Sequence, residues 1–407
     1  MRSVLILTPW FPNRPGDRQG NFIYDSAAAL VRAGLSICVL VTRPIVPSVG
    51  QRFRPDFYRG ELDVNSFKKF QQVRQVSYIS MPRNYFWHAS VCLHDRAVEP
   101  ALKSLAIKHK VDAIHAHTES EARVAVRVGG ELGLPVFVSL HGINYGPRYF
   151  GIPGRRKMFG KALRAAKRVI LVGEPLRSFF QGVCGSSENF RVVPNGVDLP
   201  HGFSEDQRRF NCSSMRFISV SNLEEGKGID VALCGLALAR KRGLENWNFT
   251  TVGDGTECEK LVDLSRSLGL SEKVHFLGNQ PHERIYELLN EADVFILPSY
   301  REAFGIAYLE AMACGLVAIG VRGQGPEAFI EHGNTGFLVE PKNPHSIADY
   351  VLDIAAKPLA MRQMGLAAAA SVRDKFTWDE HARRLLQVYY EVVQDRPNGS
   401  VLAKLDG

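Results

Sequence analysis

The sequence predicts an α/β protein organised in two domains, and three observations support this. The chain has 407 residues, more than one domain usually contains, and 45% of them are hydrophobic, which is enough to build substantial cores. Short apolar runs typical of buried parallel strands alternate with helical segments. Two such runs, at residues 294–297 and 316–321, flank a helix that starts near Gly305 and ends at Cys314, an arrangement that indicates a βαβ unit.

The N-terminal half begins with a strand at residues 4–8, a loop at 9–20, a helix at 21–33 and a strand at 36–42. The loop contains three prolines and two glycines, so its backbone could approach a ligand closely. It lacks the G-x-G-x-x-G fingerprint of dinucleotide-binding proteins, which argues against an NAD enzyme. Residues 113–118 are predicted to be a strand followed by the start of a loop, and further strands are predicted at 136–140, 168–172 and 191–193. His117 and His141 lie at the carboxyl ends of two of these strands, at the sheet edge where ligands bind in α/β proteins.

A turn at residues 194–198 and a polar stretch at 201–214 predict a linker between the domains. The second domain then begins with a strand at 215–221. Lys227 follows this strand and precedes a helix, which is a typical position for a phosphate-binding residue. Strands are also predicted at 248–252 and 274–278, and successive helices at 344–393.

Positive charge is concentrated in the first half of the chain. Residues 1–200 hold 28 of the 50 Lys and Arg residues but only 14 of the 42 Asp and Glu residues, so an anionic partner is expected there. One segment has seven cations and no acid: Arg155, Arg156, Lys157, Lys161, Arg164, Lys167 and Arg168. Lys157, Lys161, Arg164 and Arg168 fall at helical spacing, which predicts a cationic helix face. Because no nucleic-acid recognition motif accompanies it, we expect an anionic membrane surface or a lipid-diphosphate acceptor rather than nucleic acid.

The sequence also limits compartment and cofactors. No apolar stretch approaches ~20 residues, so no transmembrane helix is expected, and the first nine residues are more typical of a strand than of a signal peptide. Seven scattered cysteines without a C-x-x-C pair favour reduced thiols and a cytoplasmic protein, at most peripheral on the inner face of the membrane. There is no D-x-D motif and no His/Cys cluster with ligand spacing, so no bound metal or other cofactor is expected.

Two glutamates, Glu302 and Glu310, bracket the helix of the βαβ unit. Along a helix this spacing corresponds to about 12 Å, whereas the catalytic carboxylates of glycosidases lie roughly 5–9.5 Å apart. The spacing is also close to two helical turns, so both carboxylates are expected on one face. The free N–H groups of Phe304, Gly305 and Ile306 between them could bind phosphate. A ligand with phosphate in the middle and a polyol at each end fits, and a nucleoside-diphosphate sugar is such a ligand.

The stretch from Glu302 to Gly315, EAFGIAYLEAMACG, closely resembles the donor-site signature of the retaining family 4 glycosyltransferases, of the kind that assembles bacterial cell-surface polysaccharides. The resemblance covers nearly the whole chain. It implies the GT-B fold, in which two doubly wound, Rossmann-like domains face each other across a cleft and a C-terminal helix crosses back to the first domain. The domains would then be residues 1–198, completed by 378–407, and residues 199–377. The implied activity is transfer of a sugar from a UDP- or GDP-sugar to a hydroxyl acceptor.

The resemblance also implies roles for single residues. Glu302 would orient the hydroxyl groups of the donor sugar, His141 would position that sugar, and Glu310 would hold the ribose. Gly20 occupies the position of the family's loop glycine, near the donor phosphate.

The donor diphosphate would be held mainly by Lys227 and by main-chain amides. These amides belong to Phe304, Gly305 and Ile306. In the family an arginine five residues before the lysine also grips the diphosphate, but this chain has Asn222 there. One positive charge is therefore missing, and Arg301 is a candidate to replace it.

Two alternatives stay open. A nucleotide-sugar epimerase or hydrolase of the same fold would need an acid/base carboxylate beside the sugar and no acceptor groove. It would release free sugar without an acceptor. A non-catalytic protein that keeps the fold and binds anionic lipid is the second alternative, for which Asn222 leaves room. Such a protein would not bind nucleotide sugars.

Overall fold

The computed structural model describes residues 1–17, 20–45, 61–81, 86–142, 153–200 and 214–394. The chain forms two compact units. The first contains residues 1–172, 176–194 and the chain from 381 onward, and the second contains residues 173–175 and 195–380. The sequence places these boundaries at 198 and 378. Most of the predicted linker, residues 201–213, and the end of the chain, residues 395–407, lie outside the described residues.

The first unit is built on a seven-stranded parallel sheet. Its strands are β1 (Ser3–Thr8), β2 (Ser36–Ile45), β3 (Gln72–Ile79), β4 (Ala113–His117), β5 (Val136–Leu140), β6 (Arg168–Leu171) and β7 (Phe190–Val192). Its helices are α1 (Asn21–Arg32), α2 (Trp87–Lys108), α3 (Glu119–Leu132), α4 (Pro153–Ala165) and α5 (Pro175–Cys184), with a 3₁₀ turn at Val64–Ser66. The strand order is β3-β2-β1-β4-β5-β6-β7. The chain therefore winds outward in both directions from the pair β1 and β4.

The second unit is built on a six-stranded parallel sheet. Its strands are β8 (Met215–Val220), β9 (Trp247–Val252), β10 (Val274–Phe276), β11 (Val294–Ile296), β12 (Val317–Val321) and β13 (Gly336–Val339). Its helices are α6 (Ile229–Lys241), α7 (Cys258–Ser267), α8 (His282–Glu291), α9 (Ile306–Ala313), α10 (Pro344–Ala356) and α11 (Pro358–Lys375), with a 3₁₀ turn at Gly325–Ala328. The strand order is β10-β9-β8-β11-β12-β13. A last helix, α12 (Trp378–Gln394), follows.

The predicted α/β class is confirmed, because both sheets are parallel and their central strands are buried on both faces. The predicted return of the C-terminal helix is confirmed as well. From His381 onward α12 groups with the first unit. Tyr389 is fully buried there with its hydroxyl 2.6 Å from Nδ1 of His115, and Glu391 lies 3.1 Å from Nε of Arg168.

A buried charged cluster joins α2 to α3. His94 lies 3.1 Å from carboxylate oxygens of both Asp95 and Glu121, and the Thr42 hydroxyl donates to Glu121 at 3.1 Å. The Arg123 guanidinium lies 2.9 Å from Asp95. Burial alone would lower the pKa of His94, but the charge of Glu121 and the hydrogen bonds to Asp95 and Glu121 raise it to about 9. The imidazole is therefore protonated at neutral pH.

Candidate functional site

The donor-binding residues predicted in the second unit lie in loops at the carboxyl ends of two neighbouring strands, β8 and β11. From β8 the chain winds towards β9 and β10, and from β11 it winds the opposite way, towards β12 and β13. Such a reversal opens a crevice at the carboxyl ends of the two strands, where ligands of open α/β sheets bind. The loop after β8 contains Asn222 and Lys227. The loop after β11 contains Arg301, Glu302 and Phe304.

Two glycines bring these loops into contact. The carbonyl of Gly226 accepts a hydrogen bond from the N–H of Tyr300 at 2.9 Å. Gly226 and Gly228 have φ angles of 98° and 76°, which favour glycine, and a Cβ atom on Gly228 would overlap the carbonyl oxygen of Pro298. Lys227 lies between these glycines, and its backbone is thereby fixed beside the loop after β11.

Lys227 and Glu302 form an ion pair. The lysine Nζ lies 2.9 Å from Oε2 of the glutamate, and the two side chains are 27% and 13% exposed. The backbone of Glu302 is held as well, because its N–H donates to Oε1 of Gln324 at 3.0 Å and its carbonyl accepts from the N–H of Gly325 at 2.9 Å. An ammonium group has three donors, and Glu302 engages one of them. Lys227 can therefore bind an anion while the ion pair stays intact.

Helix α9 begins directly after Gly305, which has a φ of 97°. A Cβ atom there would lie 2.7 Å from the buried ring of Tyr308. The first turn is closed by a hydrogen bond from the N–H of Tyr308 to the carbonyl of Gly305, at 3.1 Å. The N–H groups of Phe304, Gly305 and Ile306 thus precede the helical hydrogen bonds, as the donors at a helix start do. Together with the helix dipole they can bind an anion.

One premise of the sequence argument is wrong. Glu302 lies in the loop, four residues before the first helical residue, Ile306, so the two glutamates are not separated by eight helical residues. Only the four steps from Ile306 to Glu310 are helical, which corresponds to a rise of about 6 Å. Glu310 is 9% exposed, and its Oε1 lies 3.9 Å from Nδ1 of His282. One glutamate therefore precedes the helix start and the other lies within the helix.

Asn222 lies in the loop after β8, and the side chain of Arg301 packs against that loop. Asn222 is exposed, and its carbonyl accepts from the N–H of Glu224 at 2.9 Å. The side chain of Arg301 covers Gly226, with its Cδ 2.9 Å from the place of a Cβ on that glycine. Its guanidinium is 3.7 Å from Glu225, and the side chain is 65% exposed. A cation thus lies beside the loop that carries Lys227, although Asn222 itself is neutral.

In the first unit, Gly20 precedes α1 with a φ of 77°. A Cβ atom at this position would lie 2.7 Å from the backbone nitrogen of Phe11. Both the backbone angle and the close approach require glycine here. The sequence prediction that this loop needs a glycine for ligand binding is not tested by this contact, which is internal to the unit.

His141 follows β5 and pairs with His117 at the end of β4. Nε2 of His141 lies 2.8 Å from Nδ1 of His117, and the rings stack with their centres 5.1 Å apart. The ring of Phe22 lies 4.8 Å from that of His141. Burial lowers the pKa of His141 to about 3 and the pKa of His117 well below its ordinary value. Both imidazoles are therefore neutral at physiological pH.

The cationic segment does not form one exposed helix face. Helix α4 ends at Ala165, and Arg168 lies in β6, where its side chain is 18% exposed and shares the carboxylate of Glu391 with Arg191. Arg155 is only 1% exposed, and its guanidinium lies 5.3 Å from the ring centre of Trp87. The prediction that Arg155 and Arg168 belong to a cationic surface is therefore wrong. The other five residues are exposed: Arg156, Lys157, Lys161, Arg164 and Lys167.

The sequence indicated no role for Gln324 and Gly325, which hold Glu302, or for His282, which lies beside Glu310. The glycines at 323 and 325 after a predicted strand were the available signal for the first two. Within the described ranges no helix is long and apolar enough to cross a membrane. In the same part of the chain, no three His, Cys, Asp or Glu side chains are grouped so that they could hold a metal ion. The expectation of an enzyme without metal or cofactor stays a prediction.

Comparisons with known proteins agree with this description. A family model described as Glycosyltransferase Family 4 matches residues 19–200, and one described as Glycosyl transferases group 1 matches residues 204–370. The N-acetyl-alpha-D-glucosaminyl L-malate synthase of Bacillus anthracis is 25% identical over 85% of this chain and 87% of that protein. A glycogen synthase of Mycobacterium tuberculosis is 27% identical over 68% of each chain.

Solved structures show the same fold at low sequence identity. Sucrose-phosphate synthase from Thermosynechococcus elongatus has a TM-score of 0.72 and 18% identity, over 97% of this chain and 100% of that chain. Anabaena Alr3699/HepE in complex with UDP-glucose has a TM-score of 0.70 and 19% identity, over 96% of this chain and 100% of that chain. At this sequence identity the similarity concerns the fold alone.

Proposed function

Because the chain belongs to the family 4 glycosyltransferases of the GT-B fold and is an enzyme of the hexosyl-transferring type, we propose that its donor is a UDP- or GDP-sugar and that it transfers the sugar with retention of configuration. The acceptor in this proposal is a hydroxyl group in cell-surface polysaccharide or glycolipid assembly. The observation that carries the proposal is the Lys227–Glu302 ion pair next to the start of α9. A cation and a set of main-chain donors there suit a diphosphate flanked by hydroxyl-bearing groups.

In the proposed complex the donor lies along the start of α9. Its diphosphate accepts hydrogen bonds from the helix-start amides and from the free donors of Lys227. The ribose reaches the carboxylate of Glu310, and the hydroxyl groups of the transferred sugar reach Glu302. His141 takes part in binding the same sugar. Carboxylates suit these positions because they accept two hydroxyl donors at once.

In the proposed reaction, the bond between the anomeric carbon and the diphosphate oxygen breaks while the acceptor oxygen bonds to the same face of that carbon. The acceptor proton passes to the leaving diphosphate, so no protein nucleophile is needed. Negative charge grows on the diphosphate as its bond breaks. Lys227 and the helix-start amides therefore stabilise the transition state more than the bound substrate.

A thermal-shift panel of nucleotide sugars tests the proposal. A ligand at 100 times its dissociation constant stabilises the native state by about 2.7 kcal/mol, so at least one UDP- or GDP-sugar should raise the melting temperature of the wild type. Glu310→Ala should abolish that rise. The matched control is Glu259→Ala, which changes an exposed glutamate on α7 of the same unit and should keep the rise. No response to any nucleotide sugar would count against the proposal and favour the non-catalytic alternative.

Incubation of the protein with a nucleotide sugar, without and with an acceptor, distinguishes transfer from hydrolysis. Incubation of the stabilising nucleotide sugar without an acceptor should release free sugar only slowly. Addition of a hydroxyl acceptor should raise the release of nucleoside diphosphate. Fast release of free sugar that no acceptor accelerates would instead indicate a hydrolase or epimerase.

We also propose that the acceptor is lipid-linked and that α4 faces an anionic membrane surface. Lys157 and Lys161 are exposed on α4. Trp87 packs against the start of this helix, 3.3 Å from the Cβ position of Gly154, and the neighbouring Phe86 is 54% exposed. Exposed cations beside an exposed aromatic ring are typical of surfaces that bind the membrane interface.

Binding to anionic vesicles tests this surface. Each lysine near an anionic membrane contributes about 1 kcal/mol, so the double change Lys157→Gln and Lys161→Gln should weaken partitioning roughly 30-fold at low salt. High salt should remove the difference. The control changes two exposed lysines elsewhere in the same unit, Lys68→Gln and Lys110→Gln, and so has the same net charge. Equal partitioning of the two double variants at low salt would contradict the proposal.

A further inference from the structure

His282 and Glu310 lie on neighbouring helices of the second unit. His282 is the first residue of α8, and Glu310 lies one turn into α9, which packs against α8. Along α8, His282 precedes the buried residues Ile285 and Leu289 by three and seven positions, so the three side chains share one face of the helix. That face packs inward, and the imidazole lies at its end, beside the carboxylate of Glu310.

The ring of His282 also packs against Tyr286, one turn further along α8. The two ring centres are 5.3 Å apart, and the ring planes are nearly perpendicular, at 85°. Edge-to-face pairs of this kind are favourable. The hydroxyl of Tyr286 donates to the carbonyl of Asp198 at 2.8 Å, which holds the tyrosine ring in turn. The imidazole of His282 therefore has a defined position beside Glu310.

Nδ1 of His282 and Oε1 of Glu310 are too far apart for a hydrogen bond between them. Their distance is 3.9 Å, about 1 Å longer than a hydrogen bond between nitrogen and oxygen. An oxygen atom placed about 2.8 Å from both atoms would hydrogen-bond to each, with an angle of about 90° at that oxygen. The side chain of His282 is 35% exposed, so a ligand can reach the imidazole from solvent, whereas that of Glu310 is 11% exposed.

Two adjacent hydroxyl groups suit this pair of side chains in either tautomer of the imidazole. A carboxylate only accepts hydrogen bonds, whereas a hydroxyl group both donates and accepts. If Nδ1 carries a hydrogen, one hydroxyl accepts from it and donates to Glu310. If Nδ1 carries none, that hydroxyl donates to Nδ1, and the adjacent hydroxyl donates to Glu310. A ribose has two such hydroxyl groups, at its 2′ and 3′ positions.

We propose that His282 binds the ribose of the donor together with Glu310, and that it determines specificity for a nucleotide that keeps its ribose hydroxyl groups. The inference rests on the proposed function, since the ligand is taken to be a nucleoside-diphosphate sugar whose ribose reaches Glu310. The two side chains belong to helices that pack together, so their spacing is set by the fold. Loss of the imidazole should therefore cost as much affinity as loss of the hydroxyl that it binds.

Calorimetric titration of the full chain with UDP and with GDP measures the contribution of His282. His282→Phe keeps a ring that can contact Tyr286 but has no hydrogen-bonding atom, whereas His282→Asn keeps such an atom near the position of Nδ1. A neutral hydrogen bond contributes a factor of roughly 3–10, so His282→Phe should raise the dissociation constant of the better nucleotide by that factor. His282→Asn should recover most of the affinity.

The matched control is His345→Phe, which changes an exposed histidine in the first turn of α10 in the same unit. This variant should bind the nucleotide with wild-type affinity. Equal affinity of the wild type and His282→Phe would overturn the inference, and so would an equal loss in His282→Phe and His345→Phe.

Deoxynucleotides identify the group that His282 binds. If the imidazole binds a ribose hydroxyl, it has nothing to bind once that hydroxyl is removed. The wild type and His282→Phe should therefore bind either the 2′-deoxy or the 3′-deoxy form of the nucleotide with nearly equal affinity, although they differ roughly 3–10-fold with the ribonucleotide. An undiminished difference with both deoxy forms would show that His282 acts on another part of the nucleotide, and would contradict the proposal.

The free nucleoside diphosphate also separates this inference from the proposed function. UDP and GDP carry the ribose but no transferred sugar, so a loss of their affinity places His282 at the nucleotide end of the donor. A loss confined to the complete nucleotide sugar would place it at the transferred sugar instead and would refute the inference. A wild type that binds no nucleotide or nucleotide sugar would refute the proposed function itself. Nucleotide binding by the wild type with no loss in His282→Phe would refute only the role of His282.

Discussion

The ion pair of Lys227 with Glu302 leads to a prediction in which stability and activity separate. In Lys227→Met the carboxylate of Glu302, only 13% exposed, keeps its charge and loses its cationic partner. A buried polar group left unpaired costs about 1–3 kcal/mol. Because the lysine is partly exposed, we expect Lys227→Met to cost about 1–2 kcal/mol. The second unit contains residues 195–380. In a domain of that size each kcal/mol shifts the melting temperature by roughly 2–4 °C, so a drop of about 2–8 °C is expected.

The double variant Lys227→Met, Glu302→Gln should recover most of that stability, because no uncompensated charge is left. A glutamine can also keep the backbone contacts of Glu302 with Gln324 and Gly325, since these involve main-chain atoms. The expected coupling energy is about 1 kcal/mol, within the range of residues in contact. Activity should not recover. Removal of one donor to the charge that develops in a transition state costs about 10²–10³-fold in rate, and both variants lack the lysine.

Thermal unfolding of the full chain and release of nucleoside diphosphate from the donor measure the two effects. Lys260→Met is the matched control, because Lys260 also pairs with a glutamate of the second unit, Glu257, but its side chain is 73% exposed. It should change neither quantity appreciably. A single variant that melts like the wild type would refute the stabilising role of the ion pair. A double variant with wild-type turnover would refute the role of Lys227 at the diphosphate.

Three further predictions concern the framework. Gly305→Ala should destabilise the protein by about 2–5 kcal/mol in urea unfolding, because its φ of 97° is strained for alanine and the added Cβ would lie 2.7 Å from Tyr308; an unchanged midpoint would contradict this. Asp293→Ala should cost about 1–3 kcal/mol in the same assay, since Arg216 binds this fully buried carboxylate through Nε and Nη2 at 2.9 Å and its own side chain is 34% exposed. An unchanged free energy of unfolding would speak against it. The pKa of His94 is raised from 6.5 to about 9 on folding, so its stabilisation is complete below pH 6.5 and is lost as the pH rises through 9. In His94→Gln the free energy of unfolding, measured with urea, should depend less on pH over that range. The same pH dependence in the variant and the wild type would refute this role of His94.

The strands were predictable where they are buried on both faces. Apolar runs identify β1, β5, β11 and β12, because strands enclosed by helices on both sides contain few polar residues. β3 was missed, since this edge strand has only one buried residue, Tyr78, and no apolar run. α2 was missed as well. It contains Pro100 and buries polar residues such as His94 and Asp95, so neither its composition nor its period indicates a helix.

The site residues could be proposed from short motifs, but their partners could not. Lys227 and Glu302 are 75 residues apart, and no local pattern indicates that they pair. The same holds for His117 and His141, which depend on the order of the strands. Arg155 illustrates the opposite failure. Charged side chains are almost never fully buried, so the sequence argument placed it on the surface, whereas it is fully enclosed against Trp87.

The neutral Asn222 raises the question of how this enzyme would balance the charge of a diphosphate. The start of α9 contributes about half a positive charge, and the charge of Lys227 is offset by Glu302. A further cation is needed, and Arg301 is available. Its pair with Glu225 is exposed and 3.7 Å long, and such pairs contribute about 0–1 kcal/mol, so release of the guanidinium costs little.

We therefore expect Arg301→Gln to weaken binding of UDP or GDP more than binding of the corresponding monophosphate, because only the diphosphate requires the second cation. Calorimetric titration of both ligands measures the difference. A charge-assisted hydrogen bond contributes about 1.5–3 kcal/mol, which corresponds to a selective loss of roughly 10–150-fold. Arg284→Gln, which changes an exposed arginine that pairs with Glu287 on α8, is the matched control. Equal weakening of diphosphate and monophosphate in Arg301→Gln would show that the diphosphate is held without Arg301, by Lys227 and the helix start alone.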